Sequence, residues 1–298
     1  MYPQRMVQHA LRLGLPVTIA VVLLALLLAL AVVGCSFGEG GSEASQKKQK
    51  APEGTFDLPN GRSLYIECQG SGSPTVVFEV GQGEPRSDAL SLQGTLAHEY
   101  MTCTYNRANK GKSSKAPTPR TAGEIVDDLH QLLETADVPG PYVLEGTSAG
   151  GSFVQLYGRR YPDEVVGVVS MNAVPPADAW MDRALPLFTK EEREAERAFY
   201  RGENLEHIDW FTSNKEFEKT PPPPHVPFEM IISTKVQCEG EPPPCIKSYD
   251  VYEDIEREIA QEWPEGSYRE VEYGHVIFLE WQPVAVNAVK RVVSKGQG

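Results

Sequence analysis

Gly146-Thr147-Ser148-Ala149-Gly150-Gly151 sets a serine among small residues in a G-x-S-x-G pattern, after the apolar run Tyr142-Val143-Leu144-Glu145 and before Phe153, Val154 and Leu156. A strand, a sharp turn and a helix are the context in which such a serine serves as a nucleophile. The turn strains the serine backbone and brings neighbouring chains close, so its flanking residues must lack bulk. Ser148 then projects its hydroxyl from the sheet edge at the start of a helix, whose amides favour developing negative charge. A hydroxyl needs a base to take its proton. Of the six histidines, His275 stands just beyond a strand-like run (Tyr268 to Tyr273) and before the apolar stretch Val276 to Leu279, with Gly274 allowing its loop to bend. The same glycines would also suit a phosphate loop, but there is no G-x-G-x-x-G, and Gly81-Gln82-Gly83 has Arg86 where a third glycine would fall.

The elements that must hold this serine recur along the chain. Short runs rich in Val, Ile and Phe at 75–80, 142–145, 165–170 and 228–233 predict buried strands. Between them, Thr121 and Glu124 form a capping box. Ile125, Leu129, Leu132, Leu133 and Ala136 follow on one helical face, and Pro139-Gly140 ends it. Such alternation predicts the α/β class, a parallel sheet with helices on both faces. It breaks at about 175–224, a charged and aromatic stretch closing on four prolines, which predicts a helical insertion. Strand and helix resume at Pro227, with amphipathic segments at 250–262 and after Pro283.

Together with Tyr105-Asn106-Arg107, Tyr161-Pro162-Asp163-Glu164-Val165 and Tyr273-Gly274-His275, the serine motif resembles the α/β-hydrolase family over nearly all of residues 55–295. The resemblance implies an eight-stranded, mostly parallel sheet, with the insertion as a cap over the active site. It implies His275 as base and then acid, and an oxyanion hole built from the amides of Ala149 and Gln82, the latter within Val80-Gly81-Gln82-Gly83. It also implies a carboxylate that orients the histidine. Where one family position falls, this chain has Met171-Asn172. Where the other falls, Ile232-Ser233-Thr234-Lys235-Val236 offers none at once. Glu239 and Asp250 are the nearest candidates. The acid matters, because replacing it by an amide in a serine protease costs about 10⁴ in turnover. Thr147, where the family commonly has His, and Asn106, where Asp is frequent, are smaller departures.

Composition sets the surroundings of this chemistry. The 298 residues carry 28 Lys+Arg against 41 Asp+Glu, a formal net charge of -13, the wrong sign for neutralising nucleic-acid phosphates. Arg5 and Arg12 precede an apolar run from Val17 to Val33, interrupted only by Thr18. Val32-Val33-Gly34-Cys35 resembles the lipobox of bacterial lipoproteins, which implies cleavage before Cys35 and lipid on its thiol. An uncleaved anchor is the alternative, since a helix over that run reaches about 25 Å against a bilayer core of about 30 Å. Either puts the domain on the extracytoplasmic face of the cell membrane. Residues 1–34 are then a signal or anchor segment, 35–54 a flexible tether and 55–298 the folded domain.

After Cys35, the four cysteines Cys68, Cys103, Cys238 and Cys245 permit three pairings. Pairing 68 with 103, on neighbouring strands, and 238 with 245, across a Pro-rich loop, suits an oxidising compartment. With the cysteines spaced for bridges and no His cluster, neither metal nor organic cofactor is implied.

The sequence thus predicts a membrane-tethered serine hydrolase that cleaves a small-molecule carboxylic ester through an acyl-serine intermediate. A proline-releasing aminopeptidase or a C–C bond hydrolase would use the same serine, and a cell-surface ligand-binding protein would keep the fold without the reaction. Trp180, Phe188, Trp210 and Phe211 suggest an apolar substrate group, whereas Glu191, Glu192, Glu194 and Glu196 would suit an amine.

Overall fold

Runs of β-branched and aromatic residues too short for helices become strands that pair into a sheet, and among the described residues eight strands do so. The computed structural model describes residues 51–234, 243–272 (side chains from 247) and 282–296. The strands are β1 (Glu53–Asp57), β2 (Ser63–Gln69), β3 (Thr75–Glu79), β4 (Met101–Asn106), β5 (Tyr142–Thr147), β6 (Val165–Met171), β7 (Pro227–Ser233) and β8 (Glu265–Val271). They form one sheet in the order β1-β2-β4-β3-β5-β6-β7-β8. β1–β2 and β2–β4 pair antiparallel, and all other pairs are parallel.

The central strands β3, β5 and β7 are buried at every position. That is why they are continuous apolar runs rather than alternating ones. The edge strand β8 is mostly exposed. It starts at Glu265, ahead of the expected Tyr268, because an edge strand facing water carries no apolar signal to mark its start.

Successive side chains of each strand point to opposite faces. Val143, Val169 and Ile231 join a cluster with Leu92, Leu96, Val289 and Val292, which come from α1 (Leu90–Leu96) and α8 (Gln282–Gly296). Leu144, Val168 and Phe228 face a larger cluster with Leu129, Leu156, Ile255 and Trp263. This second side is built on α2 (Ala122–Thr135), α3 (Ala149–Arg160) and α7 (Pro243–Glu262). The expected capping box opens α2: the Glu124 amide donates to Thr121 Oγ1 at 3.2 Å, and the Thr121 amide to Glu124 Oε2 at 3.0 Å.

Between β6 and β7 lie three helices, α4 (Ala177–Arg183), α5 (Lys190–Tyr200) and α6 (Trp210–Glu218). This is the helical insertion. Trp210 anchors it, stacked on Phe153 of α3 with ring centroids 5.7 Å apart.

Cys68 and Cys103 face each other across β2 and β4, with Cα atoms 4.1 Å apart, and form a disulfide. Cys35, Cys238 and the side chain of Cys245 lie outside the described residues. Among the described residues no helix is long and apolar enough to cross a membrane.

Candidate active site

Ser148 sits between β5 and α3 with φ 53 and ψ -122, a conformation that L-residues rarely adopt. The strain is held from both sides. The Ser148 amide donates to Met171 O of β6 at 2.8 Å, and the Gly151 amide donates to Ser148 O at 2.9 Å. Two glycines make the turn possible. A Cβ on Gly146 would lie 2.3 Å from Gly150 O, and one on Gly150 would lie 2.0 Å from Glu79 O. Ala149 is the first residue of α3, so its amide belongs to the set that a helix leaves without an internal acceptor.

Ser148 opens into a cavity of about 550 Å³ lined also by Gln82, Val174, Phe199, Glu203, Asn204, Leu205 and His207. The loop carrying Gln82 is fastened on both sides of that residue. Gly81 donates its amide to Glu84 Oε2 at 2.7 Å, and Gly83 donates its amide to Glu206 Oε1 at 2.8 Å. Arg107 donates from Nη1 to Val80 O and from Nη2 to Gly81 O, both at 2.8 Å. The amide of Gln82 makes no hydrogen bond among the described residues. An amide left open between two anchored ones, beside a strained serine, is what stabilisation of a developing oxyanion requires.

The same loop is tied to the insertion. The side-chain amide of Gln82 meets Asn204 Oδ1 at 2.5 Å. In its other orientation its oxygen accepts from the amides of Leu205 and Glu206 at 2.9 and 3.2 Å. Glu206 grips buried Arg107 with both oxygens, at 3.0 Å from Nε and 2.7 Å from Nη2. Burial alone would raise the Glu206 carboxyl, but the Arg107 guanidinium beside it lowers it to about 2.

Two carboxyls beneath the site shift upward, the reverse of Glu206. Burial pushes Glu79 up to about 7, although Arg107 and the donating Tyr105 hydroxyl pull the other way. Glu145 of β5 is pushed up to about 8 by burial, with the charge of Glu84 adding to the effect. Its Oε1 has no hydrogen-bond partner among the described residues. A carboxyl lacking both water and a cation keeps its proton at neutral pH.

At the end of β6, the amide-bearing Asn172 works as a structural tie: its Oδ1 accepts the Ser233 amide of β7 at 2.8 Å. A carboxyl reaches the same strand end from α7, where fully buried Glu256 accepts the Ala173 amide at 3.3 Å. Asp250 is an exposed residue of α7 and does not line the serine cavity. Glu239 and His275 lie outside the described residues.

Ser148 and Gln82 line one cavity, and Ala149 follows Ser148 at the start of α3. The structure corrects the reading of the insertion. Trp210 is core, and Trp180 donates Nε1 to Glu196 at 2.9 Å, so neither lines the cavity. Its apolar wall is Val174, Phe199 and Leu205. Glu191, Glu192, Glu194 and Glu196 lie on α5, also away from it, and Glu192 serves in a second capping box with Thr189. Glu203, Asn204, Glu206 and His207, which do reach the site region, gave no signal in the sequence. They sit in an irregular loop without periodicity, and only a contact across the fold gives them a role.

A family model described as the α/β-hydrolase fold matches residues 85–227. The uncharacterized protein YqjL of Bacillus subtilis is 33% identical over 104 residues, 35% of this chain and 41% of that protein, so the match spans less than half of the relative. An enol-lactonase from Burkholderia xenovorans LB400 superposes with a TM-score of 0.57 at 20% identity, covering 81% of this chain and 100% of that one. A thermophilic esterase from Thermogutta terrifontis does so with a TM-score of 0.58 at 17% identity, covering 83% and 100%. With the strand order, the serine at the β5–α3 corner and the insertion after β6, these likenesses establish that the chain has the α/β-hydrolase fold.

Proposed function

We propose that this protein is a serine hydrolase that cleaves carboxylic esters, held at the extracytoplasmic face of the membrane by lipid on Cys35. One observation carries the reading: a serine at positive φ shares a cavity with Gln82, whose amide makes no hydrogen bond among the described residues while those of Gly81 and Gly83 are engaged. In the reaction, His275 takes the Ser148 proton as Oγ attacks the ester carbonyl, and the amides of Ala149 and Gln82 hold the oxyanion. The alcohol leaves with that proton, and water then releases the acid from acyl-Ser148. An enol-lactonase and an esterase share the fold, which agrees with ester substrates.

Labelling with a fluorophosphonate probe tests this reading. The parent protein labels, while Ser148→Ala and His275→Ala do not. A folded parent that fails to label, or a Ser148→Ala protein that labels equally, removes it. Tethering is tested separately: Cys35→Ala moves the protein from the membrane fraction to the soluble one.

A further inference from the structure

A second cavity, of about 390 Å³, shares Leu205 and His207 with the serine cavity, so that segment of the insertion borders both. Its lining brings Arg107, Lys110, Lys115 and Arg120 together against one carboxylate, Glu206. That balance is the reverse of the chain as a whole, whose net charge is -13.

Not all four cations are free. Arg107 is committed to Glu79, Glu206 and the carbonyls of Val80 and Gly81. Arg120, 5% exposed, uses Nη2 for Asp128 and for Glu124 O, each at 2.9 Å, and its Nε lies 3.8 Å from Glu124 Oε2, but its Nη1 makes no hydrogen bond among the described residues. Lys110 stands 3.3 Å from Glu206, a carboxylate already gripped twice by Arg107. Lys115 makes no ion pair among the described residues. Ala108, Ala116 and Ile125 supply an apolar wall beside these charges. Lys115 is exposed and Lys110 partly so, and with Arg120 Nη1 they leave an entering anion donors beside apolar surface, in a volume that suits a small organic group.

Resting on the ester-hydrolase reading, we infer that this cavity seats the anionic end of the substrate, a carboxylate or phosphate. The preferred substrates are then esters carrying such a group on the side that reaches past Leu205 and His207. Lys110, Lys115 and Arg120 recognise the anion. The serine cavity holds the ester.

The test compares two nitrophenyl esters of equal length, the hydrogen glutarate and its neutral methyl-capped analogue. The parent prefers the anionic ester in kcat/KM by about tenfold or more at low ionic strength, chiefly through KM, and added salt erodes the preference. The ratio of the two kcat/KM values falls several-fold in Lys110→Gln and in Lys115→Gln. A parent ratio near one, or a ratio unchanged in both variants, overturns the proposal. Inorganic phosphate competes against the anionic ester if the cavity holds the substrate's own tail. Non-competitive action of phosphate on both esters points to a separate effector and overturns it.

Calorimetric titration of Ser148→Ala with monomethyl glutarate separates the two readings. Binding that weakens in Lys115→Gln, in a protein whose parent form hydrolyses neither ester and takes no fluorophosphonate, supports the anion site and sinks the hydrolase. Hydrolysis of both esters without preference sinks the anion site alone.

Discussion

Glu206 accepts the amide of Gly83 at 2.8 Å, so a carboxylate from the insertion fixes one end of the loop that presents Gln82 to the serine cavity. The same carboxylate neutralises Arg107, which holds the loop's carbonyls from beneath. Insertion and the Gln82 loop therefore form one electrostatic unit.

Removing that carboxylate costs both shape and charge balance. Glu206→Ala leaves buried Arg107 without its bidentate partner and lowers stability by about 3–5 kcal/mol, read from urea denaturation. Glu206→Gln keeps the volume and lowers kcat on a nitrophenyl ester by about tenfold or more, with a smaller change in KM. Unchanged kcat in a folded Glu206→Gln protein contradicts the coupling.

Glycine substitutions separate the strained corner from ordinary helix. Gly150→Ala drives a Cβ to 2.0 Å from Glu79 O, against backbone that cannot yield, and abolishes soluble expression or fluorophosphonate labelling. Gly94→Ala, in α1 with nothing within 4 Å of the added Cβ, raises stability by about 0.5–1 kcal/mol. Thermal denaturation of the two variants reads the contrast.

Stability falls as pH rises across the neutral range. Glu79 at about 7 and Glu145 at about 8 keep protons in the folded state that the unfolded chain gives up near 4.5. Their contribution is full below about 4.5 and is lost as pH climbs through 7 and then 8. Glu206 runs the other way: lowered to about 2, it stabilises above 4.5 and loses that effect as pH falls through 2. Urea denaturation from pH 5 to 8.5 should show the decline, and Glu145→Gln should flatten its upper part. Stability that rises with pH over this range contradicts the burial of these two carboxyls.

The Cys68–Cys103 bridge closes a loop with a sequence separation of 35. Replacing both cysteines by alanine lowers stability by about 2–4 kcal/mol, mostly through the freer unfolded chain. Comparing that variant with the parent, with and without reductant, isolates the bridge. Reductant leaves the variant's denaturation midpoint unmoved.

Much of the fold was legible because its signals are local. Val76-Val77-Phe78 and Val168-Val169 read as buried strands since both faces of a central strand are apolar. The helix after Thr121 announced itself through its cap. β1 and β8 were less legible, because edge strands half in water carry mixed residues.

The serine corner was written in the sequence, since a turn that tight can be made only with glycine at positions near Ser148, and glycines can be read. The pairing of Glu206 with Gly83 spans 123 residues and obeys no period. Only the order of the strands, and the return of the chain between β6 and β7 over the end of β3, bring the two together. A local steric demand leaves its mark on neighbouring residues, whereas a hydrogen bond between distant loops exists only once the sheet has placed them.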